Sequence, residues 1–153
     1  NSYSAVTPVI RYAEVLLSYL ECLIESGQAI DQTVLNLTIN QVRGRADVKM
    51  PPVTETNSDK LRELLRNERR VELAFEGIRY WDLLRWKLAE TVLVGEVWGA
   101  PYPKSITYAG STKFVDPTGH CRWYVGRRDF RNPQDYKWPI PLSEQNINPN
   151  LRE

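Results

Sequence analysis

Histidine and cysteine are nearly absent from this chain, one of the first and two of the second in 153 residues. Two cysteines cannot frame a disulfide scaffold, and neither Cys22 nor Cys121 sits in a metal-ligand spacing. His120 stands beside Cys121 with no further ligand types close by, so no metal site and no cofactor is expected. No apolar run approaches the roughly 20 residues that cross a bilayer. Charge of one sign is also lacking: the net value of +1 supplies no field toward nucleic acid or an anionic membrane. Composition is otherwise that of a globular domain, 42% hydrophobic and 25% charged, which argues against disorder. The chain opens at Asn1 with neither an initiator Met nor a signal peptide, and is expected to be a piece of a longer protein.

The longest stretch without proline or turn clusters is Ser58 to Glu90, rich in Leu, Arg, Glu, Ala and Lys, and it predicts a long helix over 58–90. Leu61, Leu64, Leu65, Glu68, Val71, Glu72 and Phe75 recur at three- and four-residue steps and share one face. Two carboxylates therefore sit inside an apolar stripe. Unpaired burial of a carboxylate costs several kcal/mol, so this helix demands cationic partners. Arg11, Arg43 and Arg45, from the preceding helices, are the expected donors to Glu68 or Glu72, in a structural network that also takes in Glu76, Arg79 and Asp82. Removal of one partner from a buried pair, as in Glu68→Ala, is expected to cost about 3–5 kcal/mol. Gly77, inside the predicted helix, marks a kink or a close backbone approach.

Upstream, residues 1–47 read as a helical hairpin. Thr7-Pro8 is a good start signal, and from Val9 to about Ser26 the polar residues form one narrow stripe, so this helix is expected to lie between neighbours on two sides. Cys22 falls within it and reads as a small core residue. Gly27 is a predicted C-cap, and Asp31 caps a second helix to about Ala46 with Val34, Leu35, Thr38, Ile39 and Val42 inward. One such pair resembles a single unit of a helical repeat. Residues 48–57, with Pro51-Pro52, form a linker. Ile78, Trp81, Leu84 and Leu88 continue the helical period on one side.

Residues 91–153 change character. They are rich in Gly, Pro and aromatics, and Asp116-Pro117-Thr118-Gly119 has the preferences of a type I turn, predicting a short β-hairpin between STKFV and HCRWYV. The Pro-locked segment DYKWPIPLSEQNINPNL carries one helical turn near Ser143 to Asn146 and a turn at Asn148-Pro149.

Paired carboxylates can mean general acid/base work, as in glycoside cleavage, but that chemistry wants them facing each other across a cleft, whereas these lie along one helix. A nucleic-acid surface needs uncompensated charge, yet between Asp59 and Glu90 eight basic residues accompany seven acidic ones. In CRWYVGRRDFR, Arg122, Arg127, Arg128 and Arg131 alternate with Trp123, Tyr124 and Phe130. That pattern fits loop packing with cation–π contacts better than base stacking.

The segments RYAEVLL (Arg11–Leu17), NERRVELAFEGIRYWDLLRW (Asn67–Trp86) and WPIPLSEQNINPNL (Trp138–Leu151), in that order and with QVRGRAD (Gln41–Asp47) between the first two, closely resemble the C-terminal part of the SusD/RagB family. The resemblance implies an all-α protein on tetratricopeptide-like hairpins, here a hairpin plus a long helix and a loop-rich C-terminal part with a short β-hairpin. It implies a nutrient-binding lipoprotein on the outer face of a Gram-negative outer membrane. Such a protein passes glycans, or in some members peptides, to a TonB-dependent transporter of the SusC class, without catalytic machinery. The lipid anchor and most of the N-terminal helical array are not within these residues. Trp81, Trp86 and Trp138 lie in the family-like blocks and are expected in the core. Pyranose rings present apolar C–H faces, so flat aromatics suit them, and Trp98, Tyr102 and Tyr108 in the Gly/Pro loop are the ligand-binding candidates. A helical-repeat adaptor for another protein is the alternative reading, and an all-α glycan-cleaving enzyme a third.

Overall fold

α1 (Tyr12–Glu25) starts behind Arg11, three residues after Val9. A computed structural model of the chain describes residues 9–101, 114–115 and 121–151, so the Thr7-Pro8 start signal lies outside the described residues. The helix ends as its glycine predicts. Gly27, at φ +70°, donates to Ile24 O at 3.2 Å and Gln28 to Leu23 O at 3.1 Å, a Schellman closure that a side chain at residue 27 would strain. Asp31 caps α2 (Gln32–Leu37), its carboxylate accepting from Val34 N–H at 2.9 Å.

The second helix does not run unbroken to Ala46. At Thr38 the backbone turns aside (φ −124°, ψ −102°) while its hydroxyl donates to Val34 O at 2.7 Å, and α3 (Ile39–Arg43) resumes beyond it. Hydroxyl bonding to the preceding turn is a known competitor of helical pairing. Leu35, Thr38, Ile39 and Val42 still face inward. The linker is pinned to this hairpin by Asn40, whose side chain both donates to Val53 O (3.0 Å) and accepts from Val53 N–H (2.7 Å), leaving Val53 buried.

α4 (Ser58–Glu72), capped by Asn57, packs Leu61 and Leu65 against Leu16, Leu17, Leu20 and Ile24 of α1 and Leu35, Ile39 and Val42 of α2 and α3. Its apolar stripe is narrower than the periodicity suggests: Leu64, Val71 and Phe75 are exposed. The expected helix over 58–90 is divided into α4, α5 (Ile78–Arg85) and α6 (Ala89–Val92). Positive φ at Phe75 (+67°) and Gly77 (+76°) makes the first break, and Lys87 (+55°) lies at the second.

The chain divides into two units, 1–79 and 80–153. In the second, β1 (Gly95–Pro101), β2 (Phe114–Val115) and β3 (Cys121–Arg128) form an antiparallel sheet in the order β1-β3-β2. β2 and β3 are the expected hairpin, with Phe114 opposite Arg122 and Val115 opposite Cys121; the turn at Asp116–Gly119 lies outside the described residues. β1 was not expected. It pairs with β3 from Gly95↔Arg128 to Pro101↔Arg122, with irregular register on either side of Trp98. A 3-10 turn (Gln134–Tyr136), α7 (Leu142–Ile147) and a second 3-10 turn (Pro149–Leu151) complete the unit.

Two core expectations fail. Cys22 is exposed, because it lies on the face of α1 turned away from α4. In α5 the buried positions are Asp82 and Leu83, about 100° and 200° round the helix from Trp81. Trp81 and Trp138 are 52% and 75% exposed, so neither is a core residue.

Candidate functional site

α1 and α4 run antiparallel and are joined by three polar rungs. At one end Arg62 of α4 donates to Glu25 of α1 at 2.7 Å and to Asp59 at 2.7 Å. In the middle, buried Arg69 of α4 donates to Ser18 at 2.9 Å and lies 3.9 Å from Glu21. At the far end the charges change sides: Arg11, just before α1, donates to Glu72 at 2.9 Å and to Glu76 at 2.9 Å. Its remaining amino group donates to the backbone oxygen of Glu72 at 2.6 Å, a cation on the last carbonyls of α4, where the helix dipole favours it. Hydrogen bonding to Glu76 holds the Arg11 guanidinium above its ordinary value, with burial opposing and Glu72 adding to the rise.

The end of α3 supplies the other two arginines. Arg43 reaches Glu68 at 2.5 Å and Pro51 O at 2.8 Å. Arg45 grips Glu72 with two nitrogens, at 2.5 and 3.0 Å. The Glu72 carboxylate thus accepts from Arg11 and Arg45 together, the bidentate geometry that makes arginine pairs strong. The Glu68 and Glu72 side chains are 13% and 11% exposed, between a surface pair and a sealed one. Gly44, between the two arginines, has the backbone oxygen of Asn40 only 2.9 Å from where a Cβ would stand, so a larger residue there would disturb both. Arg79 is half-buried in α5, and Asp82, buried, meets Arg85 of its own helix at 2.7 Å. Glu68 and Glu72 both accept from guanidinium groups, and these bonds clasp α4 to the end of α3 and to the residue that precedes α1.

The second unit offers a different surface. Trp81 and Trp138 stand with ring centroids 6.3 Å apart and planes tilted by 31°, and Tyr80 meets Trp81 edge-on at 5.7 Å. Beside them is a cavity of about 240 Å³ lined by Tyr80, Leu84, Tyr136, Trp138 and the polar Asp135 and Lys137. Lys87 lies 4.3 Å over the Tyr136 ring, and Phe130 meets the same ring edge-on at 4.8 Å. Among the described residues the buried Tyr136 hydroxyl has no hydrogen-bond partner. Arg131 donates to Asp135 through its side chain and its backbone N–H, both at 2.7 Å, and these bonds hold the Asp135 carboxyl below its usual value.

Of the three aromatic candidates, Trp98 is half-buried on β1, donating to Glu96 at 3.1 Å and packed edge-on against Tyr124 at 5.3 Å. Tyr102 and Tyr108 lie outside the described residues. Sequence reasoning missed Tyr80, Trp81, Tyr136 and Trp138. The signal for one was present: prolines flank Trp138 on its C-terminal side (WPIP), and a Pro-locked segment has no helix face with which to bury a large ring.

The model of the SusD family matches residues 1–153. Two curated relatives from Formosa agariphila are similar over part of the chain. SusD-like protein P38 is 35% identical over 92 residues, 56% of this chain and 18% of its own length. SusD-like protein P2 is 37% identical over 89 residues, covering 54% and 17%. Among solved structures, a SusD-like carbohydrate binding protein from Bacteroides fragilis is 69% identical with a TM-score of 0.89, over 95% of this chain and 28% of that one. A second SusD-like protein from the same organism is 32% identical with a TM-score of 0.63, over 91% and 24%. The chain therefore spans less than a fifth of these curated relatives and about a quarter of these structures.

Proposed function

The chain belongs to the SusD family, and from that premise we propose that it is the C-terminal region of a non-catalytic glycan-capture protein whose ligand lies on the aromatic surface of residues 80–153. The observation that carries this reading is the exposed Trp81–Trp138 pair beside its small cavity. Two tilted ring faces suit the apolar faces of a bent sugar chain. The cavity, at about 240 Å³, is smaller than the roughly 300–1,000 Å³ of drug-sized sites and suits one sugar ring rather than several. Lys137 at its edge supplies donors to orient it, and Asp135, already held by Arg131, supplies an acceptor. The carbohydrate-binding description of the Bacteroides fragilis neighbour supports the ligand class. Trp98, with Tyr102 and Tyr108, is proposed as a second stacking contact.

The rest of the role follows family kinship. The whole protein is proposed to sit lipid-anchored on the outer face of an outer membrane and to deliver its ligand to a TonB-dependent SusC-type transporter. Calorimetric titration with oligosaccharides tests the core of this reading. A binding sugar should lose about tenfold in affinity with Trp138→Ala, the scale of one aromatic stacking contact. An unchanged affinity would remove the Trp81–Trp138 surface from the site. Release of hydrolysis products during the titration would instead favour the enzyme reading.

A further inference from the structure

The cavity of about 240 Å³ in the second unit carries an unbalanced charge at its rim. The carboxylates around it already have partners of their own. Asp135 accepts from the Arg131 side chain and backbone, both at 2.7 Å. Buried Asp82 pairs with Arg85 at 2.7 Å, and Glu90 accepts from the Asn132 side chain. Two lysines are left over. Lys137 lines the cavity between Tyr136 and Trp138, and Lys87 lies 4.3 Å over the Tyr136 ring, which lines it too. Neither lysine has a carboxylate partner among the described residues. Lys87 also holds its place against local preference. Its N–H donates to Leu84 O at 3.1 Å and Leu88 N–H to Leu83 O at 2.9 Å, the closure that Gly27 makes after α1. That position requires positive φ, here +55°, which glycine adopts freely and a long side chain does not. Strained positions of this kind gather at ligand sites.

Resting on the glycan reading above, we propose that the sugar taken by this cavity is anionic, a hexuronate or a sulfated residue. Lys137 meets its carboxylate or sulfate, and Lys87 adds to the positive field. A neutral pyranose offers the ammonium only a hydroxyl and leaves the excess charge of the rim unanswered. An anionic oxygen makes with it a charge-assisted hydrogen bond, about twice as strong as a neutral one. The Trp81–Trp138 pair still stacks on ring faces, so the charge selects among sugars rather than replacing the stacking.

Calorimetric titration of the full chain with three kinds of short oligosaccharide tests this: an oligogalacturonate, a sulfated galactan fragment and a neutral xylan fragment. One anionic probe should bind at least about tenfold more tightly than the neutral one, and which of the two it is separates carboxylate from sulfate. Its affinity should fall as salt is raised, because the lysines stand at the surface. Lys137→Met should cost that probe about tenfold and leave neutral binding unchanged. Lys87→Gly should weaken it by less, without lowering the melting temperature, since glycine suits that backbone. The inference is overturned, and the glycan reading kept, by a neutral probe that binds as tightly as the anionic ones and loses affinity in Trp138→Ala. Anionic binding that is weakened by Trp138→Ala but that either lysine substitution leaves unchanged overturns it in the same way. Both fall together if no probe binds, or if Trp138→Ala changes none of the affinities.

Discussion

The two units handle their side chains in opposite ways. Residues 1–79 close a leucine-rich core and pair arginines with glutamates around it, although Tyr12, Tyr19, Val71 and Phe75 stay exposed. Twelve of the fourteen buried hydrophobic residues among those described belong here, and only Leu83 and Ala89 belong to residues 80–153. In the second unit large rings stand in solvent and a sheet with irregular register takes the place of a helical core. The first arrangement builds a scaffold around a buried core, and the second has few buried apolar residues and keeps its Trp81 and Trp138 rings exposed. The glycan surface proposed above lies on the second unit for that reason: the Trp81 and Trp138 rings are exposed, whereas the arginines and glutamates of the first unit are already engaged.

Substitutions should separate the two units sharply. Leu35→Ala, at a fully buried position, should cost about 2–5 kcal/mol in denaturant unfolding. A cost below about 1 kcal/mol would mean the first unit has no close-packed core to contrast with the second. Glu72→Ala comes next, at about 2–3 kcal/mol. The value lies between the 3–5 expected of a sealed pair and the 0–1 of a surface pair, because Glu72 is slightly exposed yet serves two arginines. Glu68→Ala, with one arginine, should fall below Glu72→Ala in the same measurement; the reverse order would show that Arg43 and Glu68, not the doubly held Glu72, fix the hairpin. Trp138→Ala should change stability by less than about 0.5 kcal/mol while weakening sugar binding, the signature of a ring that packs little of the unit. The smallest effect concerns pH. Because Arg131 lowers the Asp135 pKa, this pair stabilises the fold fully above the ordinary aspartate value, and the contribution is lost as pH falls through the lowered one. Carboxyl NMR titration should show the Asp135 midpoint rising in Arg131→Gln; no movement would remove the pairing.

Local rules carried the helical unit further than the aromatic one. Gly27 and Asp31 act through bonds to residues within a turn or so of themselves, so their caps were legible from the chain alone. The polar interruptions of α4 were equally visible at Glu68 and Glu72, although which arginine meets which carboxylate depends on how α3 ends. The break after α4 was anticipated only as a kink at Gly77, because a phenylalanine at positive φ has no local signature. β1 was missed because GEVWGAP holds two glycines and a proline, and its pairing partner lies about thirty residues on. The exposure of Trp81, Trp138, Val15 and Cys22 was missed for a different reason. Periodicity identifies an apolar face but does not say whether the covering surface lies in the same stretch of chain.

The rungs between α1 and α4 also encode direction. Arginine is on α4 at the Glu25 end and precedes α1 at the Glu72 end. Were the two helices to pair the other way up, Arg11 would meet Arg62 and Glu25 would meet Glu72, like against like at both extremities. A slip by one turn, about 5.4 Å, would strand Arg69 away from Ser18 and Glu21 in an apolar layer. Leucine faces alone would accept either error, so it is the placement of a few ions that makes one docking of these helices the permitted one.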